Sequence, residues 1–244
     1  MSNLYREPGR PPRAVLLDAG FTLTFYDGER MAAYAALAGV AADAAAIERT
    51  ERALRAEIQE RPGVPLRTHD DGGKRWLRTV FRRILDLADT PGAPEDLDRA
   101  AESIYREHMA SNVWRRVGAG VADALARLRV AHIALGVVSN SEGTIEKMLE
   151  EVGLRSYFDA VVDSTVVGVS KPDPRIFQIA LDQLQVAPAD ALMVGDSPTG
   201  DITGARAAGI PAALLDPFDL YPWVDAPKFS DVGAFTSWVL GGRT

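Results

Sequence analysis

Four polar turns recur along the 244-residue sequence, each at or near the end of an apolar run and each followed by a helical pattern. Unbroken apolar strands that alternate with helices are typical of a parallel sheet with helices on both faces. The sequence therefore predicts an α/β fold. The polar residues at these turns are Asp18, Ser139 with Asn140, Lys171, and Asp196 with Asp201.

The hydrophobic pattern also places the individual elements. Apolar runs predict strands at 14–18, 133–138, 160–162, 191–194 and 211–215. Helical spacing predicts helices at 121–129, 144–152, 175–184 and 202–208. Because the first strand is separated from the others by a long helical block, we expect it to join the sheet that the later strands form.

The block between about residues 29 and 111 is rich in Ala, Arg and Glu and has helical periodicity. Trp76, Val80 and Ile84 lie on one face of a predicted amphipathic helix. Pro and Gly interrupt the pattern at 61–65 and at 90–94. We therefore predict two domains. Residues 1–27 and 112–244 form the parallel-sheet domain, and residues 28–111 form a helical insertion.

Composition narrows the possible partners. The net charge of −7 argues against nonspecific binding to nucleic acid, although a local site on an acidic protein can still bind a small anion. No apolar stretch approaches the ~20 residues that span a membrane. Residues 1–12 are polar and lack the apolar core of a secretory signal. The absence of Cys fits a reducing compartment, so we expect a cytoplasmic protein. The sequence gives no indication of oligomeric state.

Asp18 is the first candidate for chemistry. Ligands of open α/β sheets bind outside the carboxyl ends of the strands, where this carboxylate is predicted to lie. A carboxylate can attack phosphorus and form an aspartyl-phosphate. That reaction needs a cation between the two anions and hydrogen-bond donors around the transferring group. An Asp at this position can alternatively be an ordinary turn residue, but the other polar turns favour a phosphate-and-metal site.

Two later turns offer positively polarised groups. Ser139 and Asn140 precede a predicted helix, for which Ser141 is a possible N-terminal capping residue, and helix starts favour anions. Capping alone would also explain this segment. Lys171 stands before Pro172, which favours an extended conformation, and Asp173 is expected to cap the following helix. An ammonium group held there can offset the charge of a carboxylate and a phosphate.

Asp196 and Asp201 lie in a Gly-containing turn after a predicted strand. Two acids at such a position suit a hard cation with oxygen ligands, and Mg²⁺ is commonly held by one or two carboxylates and a substrate phosphate. Asp201 can instead cap the helix predicted at 202–208. The two roles are compatible.

These segments together resemble the haloacid dehalogenase superfamily of hydrolases. The similarity covers most of residues 13–27 and 113–216 and includes four motifs in order: Asp18–Thr22, Val138–Ser141, Gly168–Phe177, and Gly195–Ser197 with Asp201–Arg206. The resemblance implies a Rossmann-like, three-layer, parallel-sheet core and an inserted all-helical cap domain. It also implies a Mg²⁺-dependent phosphatase of a small phosphorylated metabolite.

The resemblance assigns a role to each motif residue. Asp18 would be the nucleophile, and Ser139 and Lys171 would complete the catalytic set. The phosphate would be bound by Thr22, Ser139, Asn140 and Lys171. The Mg²⁺ ion would be bound by Asp18, the main-chain carbonyl of Gly20, and Asp196, with Asp201 supporting the metal shell.

The first motif departs from the family pattern. Phosphatases of the superfamily usually have a second acid two residues after the nucleophile, which protonates the leaving group and later activates water. Gly20 replaces that acid here, and Phe21 replaces the usual Gly. Loss of a general acid typically costs ~10²–10⁴-fold in rate. Substrates with good leaving groups need less acid, and a residue of the helical insertion can take over; the candidates are Asp27, Glu29, His69, Asp70 and Asp71.

Two alternatives remain open from the sequence. One is a phosphonate- or haloacid-cleaving hydrolase, since related enzymes of those types also lack the second acid. The phosphonate reaction needs a lysine in the cap, where Lys74 is the single lysine of the predicted insertion. The other is a catalytically degenerate protein that binds phosphate or a partner, for which Gly20 is the support. A phosphorylatable receiver domain does not fit, because it would be about half this length and lack an insertion.

Overall fold

The structure is a computed structural model that describes residues 11–58 and 74–241. The chain divides into two compact units, one of Met1–Phe25 with Val117–Thr244 and the other of Tyr26–Arg116. The break expected at 61–65 lies outside the described residues, as do three candidate acid groups, His69, Asp70 and Asp71.

The five strands predicted from the sequence are present close to their expected positions, and the structure adds three short strands that were not predicted. Within the described residues they are β1 (Ala14–Leu17), β2 (Thr24–Tyr26), β3 (Trp114–Val117), β4 (Ala134–Ser139), β5 (Ala160–Asp163), β6 (Ala191–Gly195), β7 (Ala212–Leu215) and β8 (Lys228–Phe229). Six of them form one sheet in the order β5-β4-β1-β6-β7-β8, and β2 and β3 form a separate two-stranded sheet.

All pairings described in the main sheet are parallel. β1 is central, because Leu17 pairs with Val137 of β4 on one side and with Val194 of β6 on the other. The carboxyl ends of these three strands therefore meet at one edge. The early strand joins the sheet of the later strands, as expected from the sequence.

The helices are distributed over both units. Those described are α1 (Gly28–Ala36), α2 (Ala44–Arg49), α3 (Glu51–Ile58), α4 (Lys74–Leu87), α5 (Pro94–Ala110), α6 (Val121–Val130), α7 (Ile145–Glu151), α8 (Ser164–Val167), α9 (Pro174–Leu184), α10 (Gly204–Ala207) and α11 (Val232–Val239). Short 3₁₀ turns occur at Arg155–Tyr157 and Pro188–Asp190, and a π-helical segment occurs at Pro198–Thr203. No described helix is long and apolar enough to cross a membrane.

The sheet has an apolar core on each face. Val15 and Leu17 belong to the core that contains buried residues of α6, α7 and α11, whereas Leu16 belongs to the core that contains those of α9 and α10. Successive side chains of a strand point to opposite faces, so the all-apolar sequence of β1 is buried between two helical layers. The predicted α/β, Rossmann-like, three-layer core is thus confirmed.

The second unit is mainly helical and has its own interior. α4 packs against α5, and α1 packs against α2 and α5. Val80 and Ile84 are buried, in agreement with the apolar face predicted for α4, and Ile104 of α5 is fully buried as well. Gly28 allows the close approach of α1 and α2, since a Cβ atom there would lie 2.2 Å from the Ala44 carbonyl oxygen.

Two details of the predicted helices are wrong. The helix predicted at 202–208 begins as the π-helical segment Pro198–Thr203, so Asp201 lies inside a helical turn and does not cap its start. Ser197 caps this segment, because its Oγ accepts the Gly200 N–H. Ser141 does not cap α7, which is preceded by Thr144; the N–H of Ser141 is donated to Ser164 Oγ.

Candidate active site

Asp18 is the first residue after β1, at the centre of the sheet edge. Its N–H donates to the carbonyl oxygen of Val194 in β6 over 3.0 Å, which fixes the backbone beyond the end of the strand. The residue is 7% exposed. The structure therefore places a carboxylate in a desolvated position where a packing residue would otherwise be expected.

A tight turn follows Asp18 and brings the chain back at Thr24. The Ala19 carbonyl oxygen accepts N–H groups from Leu23 and Thr24 at 2.8 and 2.9 Å, and Phe21 N–H donates to the Thr24 carbonyl oxygen at 2.8 Å. Phe21 has a φ of 54°, in the left-handed region that favours glycine. The turn thus keeps a conformation suited to the usual Gly even though Phe occupies the position.

Gly20 and Thr22 lie within this turn. Gly20 forms an isolated backbone bridge with Thr24. Thr22 is 2% exposed, and its Oγ1 makes no hydrogen bond within the part of the chain that the structure describes. A buried hydroxyl without a partner can donate to an additional group, so the position of Thr22 is compatible with its expected role in phosphate binding.

Lys171 reaches the same edge from the loop between α8 and α9. Its Nζ lies 2.5 Å from Asp18 Oδ1 and 2.6 Å from Asp201 Oδ1. Only 4% of the Lys171 side chain is exposed. The peptide bond between Lys171 and Pro172 is cis. Asp173 caps α9 by accepting the Arg175 N–H, as predicted. One ammonium group therefore joins two carboxylates that are distant in sequence.

Asp201 is fully buried, and both of its carboxylate oxygens accept hydrogen bonds. Oδ1 accepts from Lys171 Nζ, and Oδ2 accepts the N–H of Ser197 at 2.9 Å. The side chain packs directly on Gly195, where a Cβ atom would lie 2.2 Å from Oδ2. Asp201 thus holds both the lysine and the turn that carries Asp196.

Burial and neighbouring charges together raise the pKa values of both Asp18 and Lys171. Burial raises the pKa of Asp18 to about 6, and the negative charge of Asp201 adds to the rise, while Lys171 opposes it. Burial lowers the pKa of Lys171, but the charges of Asp18 and Asp201 more than offset this and raise it above its ordinary value. Lys171 is therefore a fixed positive charge near neutral pH.

Ser139 and Asn140 occupy the neighbouring strand end. Ser139 is the last residue of β4 and is 5% exposed. Asn140 follows it, and its side-chain amide pairs with the backbone of Lys171: Nδ2 donates to the Lys171 carbonyl oxygen at 3.0 Å, and Oδ1 accepts the Lys171 N–H at 2.8 Å. This contact joins the loop after β4 to the loop that carries the lysine.

Asp163 is a structural residue of this edge that the sequence interpretation missed. It ends β5, is 4% exposed, and pairs in register with Ser139. Its carboxylate accepts N–H groups from Gly143, Ile145 and Thr165 at 3.1, 3.3 and 2.9 Å. The available signal was an acid at the carboxyl end of a predicted strand directly before a helix. Asp163 orders the loop between β4 and α7.

The carboxylates at this edge fit a divalent cation. One oxygen each of Asp18, Asp196 and Asp201 lies within 4.8 Å of the other two. With Lys171 as their nearby cation, three carboxylates leave an excess of negative charge in a largely buried position. Mg²⁺ prefers oxygen ligands and would balance this excess. The donor set therefore suits Mg²⁺, with Asp201 already engaged on both oxygens.

Comparison with known proteins identifies the family of this chain. The haloacid dehalogenase-like hydrolase family model matches residues 12–209. Phosphoserine phosphatase of Thermus thermophilus is 38% identical over 138 residues, which cover 56% of this chain and 53% of that protein. The chain thus spans about half the length of that phosphatase.

Two further comparisons cover more of the chain. The haloacid dehalogenase-like hydrolase domain-containing protein 3 of Mus musculus is 34% identical over 205 residues, or 82% of this chain and 80% of that protein. The crystal structure of a HAD phosphatase from Thermococcus onnurineus matches with a TM-score of 0.60 and 22% identity, covering 94% of this chain and 98% of that one. The similarity in structure supports the fold, and the sequence matches support the family. The chain belongs to the haloacid dehalogenase-like hydrolases and is a phosphatase-like member of that family.

Proposed function

We propose that the chain is a Mg²⁺-dependent phosphatase that hydrolyses a small phosphorylated metabolite through an aspartyl-phosphate on Asp18. The observation that carries this proposal is the contact of Lys171 Nζ with Asp18 and Asp201, beside Asp196 at one sheet edge. The phosphatase relatives support the choice of a phosphate ester as substrate. In this proposal residues 28–111 are the cap domain.

The reaction has two displacement steps. In the first, an oxygen of Asp18 attacks phosphorus, the ester P–O bond breaks, and the leaving oxygen takes up a proton. In the second, water attacks the phosphorus of the aspartyl-phosphate, which releases inorganic phosphate and a proton and restores the Asp18 carboxylate. Each step needs Asp18 to be ionised or to leave as a carboxylate, so the positive charge of Lys171 favours both.

The remaining motif residues would bind and orient the phosphoryl group. Ser139 and Thr22 offer hydroxyl groups, and Asn140 offers its main-chain N–H group beside them. Asp18, the Gly20 carbonyl and Asp196 would hold Mg²⁺, with Asp201 supporting the site from behind. When bound, Mg²⁺ supplies positive charge that reduces the repulsion between the carboxylate and the phosphate.

Gly20 sets the expected preference among substrates. Gly20 has no side chain with which to protonate the leaving oxygen. Lys171 is held between two carboxylates, which raise the pKa of its ammonium group, so Lys171 is a poor acid. We therefore propose that this site favours phosphates whose leaving groups need little protonation, such as acyl and aryl phosphates. Acids of the helical unit, including Asp27 and Glu29, are the candidates for replacing the missing group.

The test is phosphate release from p-nitrophenyl phosphate and acetyl phosphate, with and without Mg²⁺. The proposal predicts Mg²⁺-dependent release that disappears in Asp18→Asn. Asp123→Asn is the matched control, because it removes the charge of an exposed Asp on α6 of the same unit and should leave the rate unchanged.

Gly20 also favours a second candidate function, a phosphate-binding protein without turnover. In that case, wild type and Asp18→Asn would be equally inactive on a broad panel of phosphate esters, while inorganic phosphate would still bind to the wild-type protein. Calorimetric titration with inorganic phosphate in the presence of Mg²⁺ separates this function from an absence of any phosphate site.

A further inference from the structure

The side-chain amide of Asn140 uses both its oxygen and its nitrogen on the backbone of a single residue, Lys171. The two hydrogen bonds measure 2.8 Å from the Lys171 N–H to Oδ1 and 3.0 Å from Nδ2 to the Lys171 carbonyl oxygen. Both distances are within the normal range for such bonds. The two residues are 31 positions apart, so this pairing joins the loop after β4 to a separate loop.

Whereas the backbone of Lys171 contacts Asn140, its side chain contacts two carboxylates. Its Nζ meets Asp18 and Asp201 at the sheet edge. A lysine side chain has many rotamers, so the position of its ammonium group depends on how firmly its backbone is held. Asn140 supplies that restraint on both sides of the Lys171 α-carbon.

A second contact limits the same loop from another direction. Gly204, at the start of α10, lies so close to Pro172 that a Cβ atom there would be 3.0 Å from the Pro172 α-carbon. The loop is therefore supported by α10 at Pro172 and by Asn140 at Lys171. Of these two supports, Asn140 is the one whose hydrogen bonds fix the backbone groups of the lysine itself.

We propose that the side chain of Asn140 is a positioning residue for catalysis, which acts by holding Lys171 against Asp18. This inference rests on the proposed phosphatase function of the site. It differs from direct binding of phosphate by the Asn140 side chain, because the effect of the amide is transmitted through Lys171. Its removal should lower the rate of the chemical step and leave substrate binding largely unchanged.

The first experiment reads the hydrogen bonds without any assay of activity. The lysines of the chain are Lys74, Lys147, Lys171 and Lys228, so ¹⁵N-lysine labelling gives a simple amide spectrum. In Asn140→Ala, the Lys171 amide should exchange with D₂O about 5- to 30-fold faster, as expected for loss of one hydrogen bond, while the Lys147 amide is unaffected. Unchanged exchange at Lys171 would overturn the proposal.

The second experiment tests the path of the effect with p-nitrophenyl phosphate. Asn140→Ala should lower kcat about 10- to 100-fold and change KM less than about twofold. In a Lys171→Ala background, the same substitution should have no further effect on kcat/KM. An equal loss in both backgrounds would show that Asn140 acts directly on substrate. A loss confined to KM would show that the chemical step does not depend on Asn140. Either result would contradict the proposal.

Gln178→Ala is the control for both experiments. This substitution removes an exposed amide of α9 that bonds to Asp182, and it should change neither exchange at Lys171 nor kcat.

If Asn140→Ala does not fold, Asn140→Asp retains an acceptor for the Lys171 N–H and removes the donor to its carbonyl oxygen. That variant should keep the amide protected and still lower kcat; retention of full kcat would overturn the inference. An inactive wild-type protein would refute the proposed function, and the exchange measurement would still show separately whether Asn140 holds Lys171.

Discussion

The ammonium group of Lys171 lies 2.5 Å from Asp18 Oδ1, and both residues are 7% exposed. Removal of one partner from a buried ion pair leaves the other charge without compensation, which typically costs about 3–5 kcal/mol. We therefore expect Lys171→Met to lower the free energy of unfolding by about this amount at pH 8, measured by urea denaturation without metal.

The cost should be smaller at pH 5, because Asp18 can then be protonated and no longer needs a cation. Lys147→Met is the matched control, since Lys147 is exposed and pairs with Glu151 at 3.8 Å on the surface of α7. That variant should change stability by less than about 1 kcal/mol. Equal stability of Lys171→Met and wild type at pH 8 would show that the pair is not desolvated.

The raised pKa of Asp18 predicts a specific pH dependence of stability. Between its ordinary value of 3.8 and about 6, the folded protein holds a proton on Asp18 that the unfolded chain releases. The contribution of this group to the free energy of unfolding therefore decreases as pH rises through that window, by up to about 3 kcal/mol. Lys171 has a raised pKa, so its contribution is fully present here and is lost only at alkaline pH.

The difference in unfolding free energy between wild type and Asp18→Asn isolates this effect. Measured without metal from pH 4 to pH 7, the wild type should lose stability relative to the variant, which cannot ionise. Mg²⁺ should reduce that loss at pH 7, because it stabilises the ionised carboxylate. A constant difference across the range would mean that Asp18 titrates with an ordinary pKa.

The convergence of these residues was predictable because of a general property of parallel sheets. The apolar sequence of β1 identified a buried strand. Asp18 and Asp196 directly follow strands and Ser139 ends one, and the carboxyl ends of these strands share an edge. Local sequence also predicted the cap of α9 by Asp173, since both the capping acid and the helix start lie within a few residues.

The partners of Asp201 and Asn140 were not predictable from local sequence. Asp201 precedes a helical pattern, which made a capping role reasonable, but its carboxylate instead binds a lysine 30 positions earlier. Asn140 likewise pairs with the backbone of a residue 31 positions later. Such contacts depend on how separate loops meet in space, and hydrophobic periodicity contains no information about them.

The close approach of Gly195 and Asp201 predicts a strict requirement for glycine. A methyl group on residue 195 would lie 2.2 Å from Asp201 Oδ2, which accepts the Ser197 N–H. The strand and the buried carboxylate cannot both keep their positions, and such overpacking typically costs about 1–3 kcal/mol. Gly195→Ala should therefore lower stability by this amount and displace Asp201 from Lys171, with a loss of phosphatase activity.

Gly233→Ala is the matched control for this substitution. Gly233 lies in α11, where Ala is favoured, and its nearest neighbour would be the exposed side chain of Asp231 at 3.0 Å. Its melting temperature should be close to or above that of wild type. A Gly195→Ala protein with wild-type stability and activity would disprove the tight packing of Asp201 on the strand.

In the proposed mechanism, Gly20 is the position at which a general acid can be introduced. A carboxyl group two residues after Asp18 can donate a proton to the leaving oxygen, and general acid catalysis typically contributes ~10²–10⁴-fold. Alkyl phosphates have basic leaving groups and depend most on that proton. We therefore expect Gly20→Asp to raise kcat/KM for an alkyl phosphate by about 10-fold or more, with little change for p-nitrophenyl phosphate.

Gly20→Asn distinguishes the acid from the added bulk, because it has nearly the same size and cannot act as an acid near neutral pH. The ratio of kcat/KM for alkyl to aryl phosphate should rise in Gly20→Asp and stay at the wild-type value in Gly20→Asn. If the ratio rises in neither variant and the wild type already hydrolyses alkyl phosphates readily, another residue supplies the proton, and the acids of the helical unit become the residues to substitute next. Asp27 and Glu29 are then the first choices, because they lie at the start of α1 and can each be replaced by the corresponding amide without loss of side-chain volume.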